Sequence, residues 1–234
     1  MTRQIILALL ATAALAVAQP GGDEIIKKSI DAQGGAEKIK AVKTLRMTGK
    51  AVIGGKVEAQ MVYRAKRPSR FRTEVTIQGH LMTEGFDRGL SWISDGTSPQ
   101  KAPDENAKRA ADTADPIGSP LFDYKEKGNT VEFVGKQDVD GQACYRFNVK
   151  LKSGSTGTVY VDQKSFLTFK TVIRSGELEA ESRLDDYRFV GNIMLPYSNV
   201  VRVKGQEVLR IQYDKAEVNV PMEDSLFSMP AAKK

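Results

Sequence analysis

Side chains able to do chemistry are scarce in this 234-residue chain, which holds one histidine, His80, and one cysteine, Cys144. A nucleophile–base triad needs His80 within reach of a hydroxyl or thiol and a carboxylate, and zinc asks for three or four ligands. His80 sits in Ile77-Gln78-Gly79-His80-Leu81 and reads as a turn or strand-end residue. Cys144 has no partner for an internal disulfide and reads as a small buried side chain. The adjacent carboxylates Asp185-Asp186 would need further ligands or a reacting group to act as a calcium site or an acid–base pair, and read as a solvated strand bend. Gly34-Gly35 belongs to no phosphate-binding loop, and a G-x-S-x-G elbow is missing. The expectation is a protein that is not an enzyme, with no catalytic residue, no metal and no cofactor.

Charge and the first residues narrow the partner. Lys and Arg number 35 against 29 Asp and Glu, and the signs alternate along most segments. A phosphate-tracking face needs clustered cations interleaved with aromatics, so no nucleic-acid partner is expected. Met1-Thr2-Arg3 is followed by an apolar run, Ile5 to Ala18, which ends Ala16-Val17-Ala18. A basic start, an apolar stretch too short to span a bilayer and small residues before a cut describe a secretory signal peptide, 1–18. No cysteine follows the cut, so the mature chain is expected to be unanchored. Without Arg3 its balance is 34 minus 29, or +5. Residues 19–234 read as one domain.

The elements that would position a site are mostly strands. Asp23 to Gln33 carries acidic residues at its start and an Ile25, Ile26, Ile30 stripe, which suits a helix ended by Gly34-Gly35. From Thr44 the period is two. Leu45, Met47, Gly49, Ala51 and Ile53 alternate with mostly polar neighbours, and Val57–Lys66 and Phe71–Gln78 repeat the pattern, with Gly54-Gly55 as a hairpin signal. Such alternation gives each strand one wet and one dry face, the mark of an antiparallel sheet. Further strands are expected around Ala143–Leu151, Thr158–Val161, Leu167–Arg174, Leu178–Val190, Tyr197–Lys204 and Glu207–Val220. Two of them change phase, from Leu184 to Tyr187 and from Tyr213 to Ala216. A phase change predicts a bulge, which bends a sheet toward a barrel.

One stretch, 98–124, breaks the pattern. Pro103-Asp104-Glu105 opens a helix with Ala107, Ala110, Ala111 and Ala114 along one side, Pro116 closes it, and Ile117 to Phe122 is apolar between breakers. This segment reads as a lid or plug over the dry face. Met47, Met61, Phe71, Val75, Ile77, Leu81, Trp92 and Phe147 supply that face. Either the helices fill the curved sheet completely or they leave a cavity. Residue patterns alone favour the filled core.

Arg64-Ala65-Lys66-Arg67-Pro68-Ser69-Arg70-Phe71, then Phe86-Asp87 and Leu90-Ser91-Trp92, resembles the LolA-type lipoprotein carriers. In that family a strand ends in Lys-Arg-Pro, two further residues precede a Phe, and an Asp-Gly turn leads to a Trp-bearing strand. The chain departs at the turn, with Asp87-Arg88-Gly89. Its tail, Val218-Asn219 through Asp224-Ser225-Leu226-Phe227-Ser228-Met229-Pro230, also resembles the end of outer-membrane lipoprotein-sorting proteins. The resemblance implies an α+β, mainly β fold: a curved antiparallel half-barrel, an incomplete barrel, with an N-terminal helix and a lid helix over its concave apolar face. It reverses the preference for a filled core and implies an apolar cavity for the acyl chains of lipoproteins or other lipids. Met47, Met61, Tyr63, Phe71 and Val75 are the expected lipid contacts, together with Ile77, Trp92, Leu121, Phe122 and Phe147. Arg67 is the expected lid latch, through hydrogen bonds to backbone carbonyls. The implied function is a monomeric periplasmic carrier moving cargo from an inner-membrane donor to an outer-membrane acceptor. A lipid-sensing or envelope-stress regulatory module of the same fold is the alternative.

Overall fold

The computed structural model describes residues 21–117 and 119–231, so the expected signal peptide lies outside the described residues. Thirteen strands form one sheet: β1 Thr44–Ile53, β2 Val57–Lys66, β3 Arg70–Ile77, β4 His80–Asp87, β5 Leu90–Ser94, β6 Gln100–Lys101, β7 Thr130–Val139, β8 Gln142–Lys150, β9 Thr156–Asp162, β10 Thr168–Ser175, β11 Leu178–Val190, β12 Ile193–Val203 and β13 Gln206–Val218. Among the described residues three helices accompany it, α1 Gly22–Ala32, α2 Ala36–Ala41 and α3 Asp104–Thr113, and one 3-10 turn at Asp224–Leu226. The architecture is α+β and mainly β, a curved antiparallel sheet that does not close.

The strand order is β6-β5-β4-β3-β2-β1-β13-β12-β11-β10-β9-β8-β7. β1 and β13 meet near the middle, and β6 and β7 are the two free edges. Consecutive in sequence yet at opposite edges, β6 and β7 require a connection that crosses the whole sheet. The described parts of that connection, α3, residues 114–117 and residues 119–129, pass over the concave face. The lid is therefore a consequence of the topology.

Residues paired across antiparallel strands share a face. Met47 pairs with Tyr63, Tyr63 with Thr73, Phe71 with Phe86, and Phe147 with Val159, which traces the concave side. The Gly54-Gly55 hairpin takes left-handed backbone at both positions, φ 57° and 71°, as a tight hairpin turn needs. One of the two expected bulges is present, in β13; β11 bends at its phase change but keeps its register on β12, from Asp185↔Ser198 to Tyr187↔Pro196. Between Thr48↔Lys215 and Gly49↔Tyr213 the register shifts, leaving Asp214 as the extra residue of a bulge. A Cβ on Gly49 would lie 2.2 Å from the Gln212 carbonyl oxygen, so only glycine lets the strands approach there. Asp186 has φ 52°, and beyond it the inward residue changes from Leu184 to Tyr187.

The covering elements divide the concave face. α1 opens with Asp23 and Glu24, which favour a helix N-terminus, and buries Ile25 and Ile26 against Phe147, Val149, Val159 and Val161. α2 buries Ile39 with Leu45, Met47, Ile193 and Leu195. α3 lays Ala110 and Ala114 on Phe71 and Phe86. Just past α1, Gly34 has φ 119°, and a Cβ there would sit 2.4 Å from the Asn192 carbonyl oxygen. The Met194 amide donates to the Gln33 carbonyl at 2.9 Å, tying this helix end to β12.

The C-terminal segment straps the convex face. Lys66 donates to the Met222 carbonyl, Arg72 to the Leu226 carbonyl and the Trp92 indole to the Phe227 carbonyl, at 2.6, 3.0 and 2.8 Å. Arg70 joins Asp87 and Asp224 at 2.8 and 2.9 Å. Trp92 was expected on the dry inner face, and the register corrects this. It pairs with Gly85, and a Cβ on Gly85 would lie 2.2 Å from its ring. Both face outward, beneath the fully buried Phe227. Leu81, paired with Thr76, faces outward too and is exposed.

Candidate functional site

Between the crossing segment and the sheet a cavity of about 420 Å³ remains. Its floor comes from Leu45 and Met47 of β1, Tyr63 of β2, Tyr213 of β13 and Leu195 of β12. Its roof is α3 and the loop after it: Arg109, Asp112, Thr113, Asp115, Pro116, Ile117, Ser119 and Pro120. β10, β11 and β12 form the far wall, with Ile173, Leu178, Ala180, Leu184 and Tyr187. This volume falls within the roughly 300–1,000 Å³ typical of small-molecule sites.

The expected contacts divide by place. Met47 and Tyr63 line the cavity. Phe71 lies under α3 and stacks on Tyr63 and Phe86, with ring centroids 6.4 and 6.1 Å apart. Met61 and Val75 form a separate cluster with Ala51 and Ile211 farther along the same face, and Ile77 is half-buried beyond them. Phe147 is sealed beneath α1, where it also meets Leu121. Phe122 packs against Ile39 and Ile193. Leu121 and Phe122 thus plug the two flanking cores, while the cavity sits between those plugs and α3.

The roof is fastened by charge. The Arg67 guanidinium donates through Nη1 to the Ile39 and Lys40 carbonyls, at 2.9 and 3.0 Å. Through Nε and Nη2 it donates to Asp115 Oδ1, at 3.2 and 2.9 Å. Carbonyls in the last turn of a helix lack intrahelical partners, so one planar fork caps α2 and grips the loop after α3 at once. Lys127 adds a second ion pair to Asp115 at 3.0 Å. Burial alone would raise the Asp115 pKa, but the Lys127 and Arg67 charges outweigh it and hold the carboxyl below its ordinary value. At the same C-terminal end of α3, Asp112 accepts from Ser153 and Ser155 at 2.7 and 2.8 Å.

The lining is more polar than an apolar cavity was expected to be. Gln33, Thr168, Thr171, Ser175, Ser182 and Asn199 also face it. Burial pushes the Tyr63, Tyr213 and Tyr187 phenols well above their ordinary pKa, so all three stay protonated and can donate. Sequence reasoning missed this wall, because Thr and Ser on alternating strands read as the wet side. A second register shift, between Thr168 and Lys170, turns Thr168 inward along with Thr171. Asp115 was missed as well, since no local pattern marks the loop partner of a residue 48 positions away.

The chemistry-bearing residues are placed as follows. His80 opens β4 after the Gln78-Gly79 turn and is exposed. Cys144 is buried, its thiol pushed up to about 11 by burial. Asp185 and Asp186 lie at the β11 bend, where Asp186 pairs with Arg188 at 2.6 Å. Among the described residues no group of three or more His, Cys, Asp or Glu side chains is arranged to hold a metal ion. None of their helices is long and apolar enough to cross a membrane.

No family model matches the chain, and no curated protein matches it in sequence. Solved structures match in shape. A protein domain from Vibrio parahaemolyticus assigned to outer-membrane lipoprotein sorting superposes with a TM-score of 0.57 at 9% identity, over 87% of this chain and 94% of that one. A DUF1329 family protein from Desulfovibrio piger gives 0.59 at 14% identity, over 88% and 96%. A LolA superfamily protein from Nitrosomonas europaea gives 0.57 at 13% identity, over 90% and 98%. Likeness of shape at such low identity carries the fold and no more, and with the open meander and the segment crossing its concave face it leads to one conclusion: the chain has the LolA-like fold.

Proposed function

We propose that this protein is a non-enzymatic carrier of the cell envelope, exported to the periplasm by the leader 1–18 and acting as a monomer. It holds an acyl chain of a lipoprotein or other lipid between the lid and the sheet, and passes it from an inner-membrane donor to an outer-membrane acceptor. The observation that carries this reading is the cavity itself, floored by Leu45, Met47 and Tyr63 and roofed by α3 and the loop that follows it. A cleft of this volume with an apolar floor under a covering segment is the usual form of a small-molecule site. Burial of a methylene gains about 0.8 kcal/mol, so even a partly enclosed chain gains several kcal/mol. Release requires the roof to move, and Arg67 with Asp115 is the latch that sets its cost. Residues 19–234 work as one unit in this reading.

The test is organic extraction of the purified protein with mass spectrometry, followed by titration of the delipidated protein with an acyl fluorophore. Saturable one-to-one binding is expected, and Ala180→Phe, which projects a ring into the cavity, should weaken it at least tenfold. Absence of both co-purified lipid and fluorophore binding refutes the carrier reading.

A further inference from the structure

Two oxygen atoms on the far wall of the cavity are buried with no hydrogen-bond partner: Thr168 Oγ1 and Asn199 Oδ1. Thr168 is 4% exposed. Leaving such groups unpaired costs a substantial part of their hydration, and native proteins rarely tolerate it without a reason. Both belong to a broken polar stripe on that wall with Thr171, Ser175 and Ser182, interrupted by apolar residues. Thr171 pairs directly with Ser182 across β10 and β11, and Asn199 pairs with Leu184 across β11 and β12. The same cavity is apolar along its floor. A bare hydrocarbon would bury the stripe without satisfying it.

We propose, resting on the carrier reading above, that the cavity selects an acyl chain bearing a hydroxyl group over a plain one. A hydroxyl both donates and accepts. It therefore matches Asn199 in either orientation of its amide, which an N–H or a carbonyl alone does not, and the Thr168 hydroxyl can donate to it or accept from it. The Tyr63 and Tyr213 phenols, kept protonated on the floor, supply donors to the remaining lone pairs of such a group. A site built to hydrogen-bond a hydroxyl discriminates strongly against the analogue lacking it, because its own polar groups are then stranded.

The experiment measures displacement of an acyl fluorophore from delipidated full-length protein by two matched pairs, myristate with 3-hydroxymyristate and stearate with 12-hydroxystearate. The hydroxylated member of at least one pair should bind about tenfold tighter, the worth of one or two net hydrogen bonds. In Thr168→Val with Asn199→Leu the ratio should fall to about one, with the plain chain bound at least as tightly as before. Thr168→Val alone, nearly isosteric, should lower the ratio part of the way and serves where the double variant does not fold. Equal affinity within both pairs, as when water already satisfies the stripe, overturns the proposal and leaves the carrier reading intact. A preference that survives in the variants also overturns it. Failure of all four chains to displace the fluorophore refutes the carrier reading itself.

Discussion

Replacing Arg67 by methionine should loosen the roof of the cavity selectively, and the geometry sets the scale. The side chain makes four hydrogen bonds in two pairs, one pair to the α2 carbonyls and one to Asp115. Only the Asp115 pair joins Arg67 to the roof. Its partners are 18% and 19% exposed, so solvent screens them in part. Asp115 also keeps Lys127 after the substitution. Loss of the pair should therefore cost about 1–2 kcal/mol, a roughly 5- to 30-fold rise in the population with the roof open. Loss of the carbonyl pair falls on α2 and adds a comparable amount to global destabilisation. Amide hydrogen exchange separates the two effects, because each segment reports its own opening. Peptides covering α3 and residues 114–122 should exchange 5- to 30-fold faster, while those from β8 and β9 change only with global stability. Release of a prebound acyl fluorophore should accelerate by a similar factor. Arg67→Lys keeps a charge opposite Asp115 but cannot fork to the carbonyls, and should fall between. Wild-type exchange in the α3 peptides, alongside a lowered Tm, would show that Arg67 supports the fold and does not fasten the roof.

Acid should unfasten the same latch. The Asp115 carboxyl is depressed below its ordinary 3.8 in the folded protein, so its contribution is complete above about pH 4 and disappears as pH falls through the depressed folded value. Asp115→Asn should be less stable at neutral pH and should lose less on going from about pH 5 to pH 2.5. Parallel Tm–pH curves for the two proteins would contradict this. Trp92→Ala should destabilise by about 3–5 kcal/mol through the void it leaves beneath Phe227. Because the indole lies on the convex face, fluorophore affinity of the folded variant should stay unchanged. For the same reason the emission of Trp92, the only tryptophan in the chain, should not shift when an acyl ligand binds.

Much of the scaffold is legible in local pattern. β1, β2 and β11 run over the residues their alternation marks, because a two-residue period is set by the backbone and needs no distant partner. The bulge at Asp214 and the bend at Asp186 are legible for the same reason, as slips in that period. α3 announces itself by its opening Pro103, its small apolar stripe and Pro116. β4 and β7 are less so: His80-Leu81-Met82 and Val131-Glu132-Phe133-Val134 place apolar residues at adjacent positions, and Leu81, Met82 and Val134 are exposed.

The alternation alone therefore determined that the chain is an antiparallel sheet with one dry side, and the placing of helix-forming and breaking residues determined that something must cover it. Which side is dry at Trp92, and which polar residues face inward at Thr168 and Asn199, was decided by tertiary structure. A five-residue strand offers apolar residues to both faces, and only a tail about 135 residues away claims Trp92 for the outside. A threonine on a strand is solvated or enclosed according to curvature and cover, and both depend on how β6 and β7 come to lie at opposite edges. That crossing over the concave face leaves the hollow, and no segment of sequence encodes it alone.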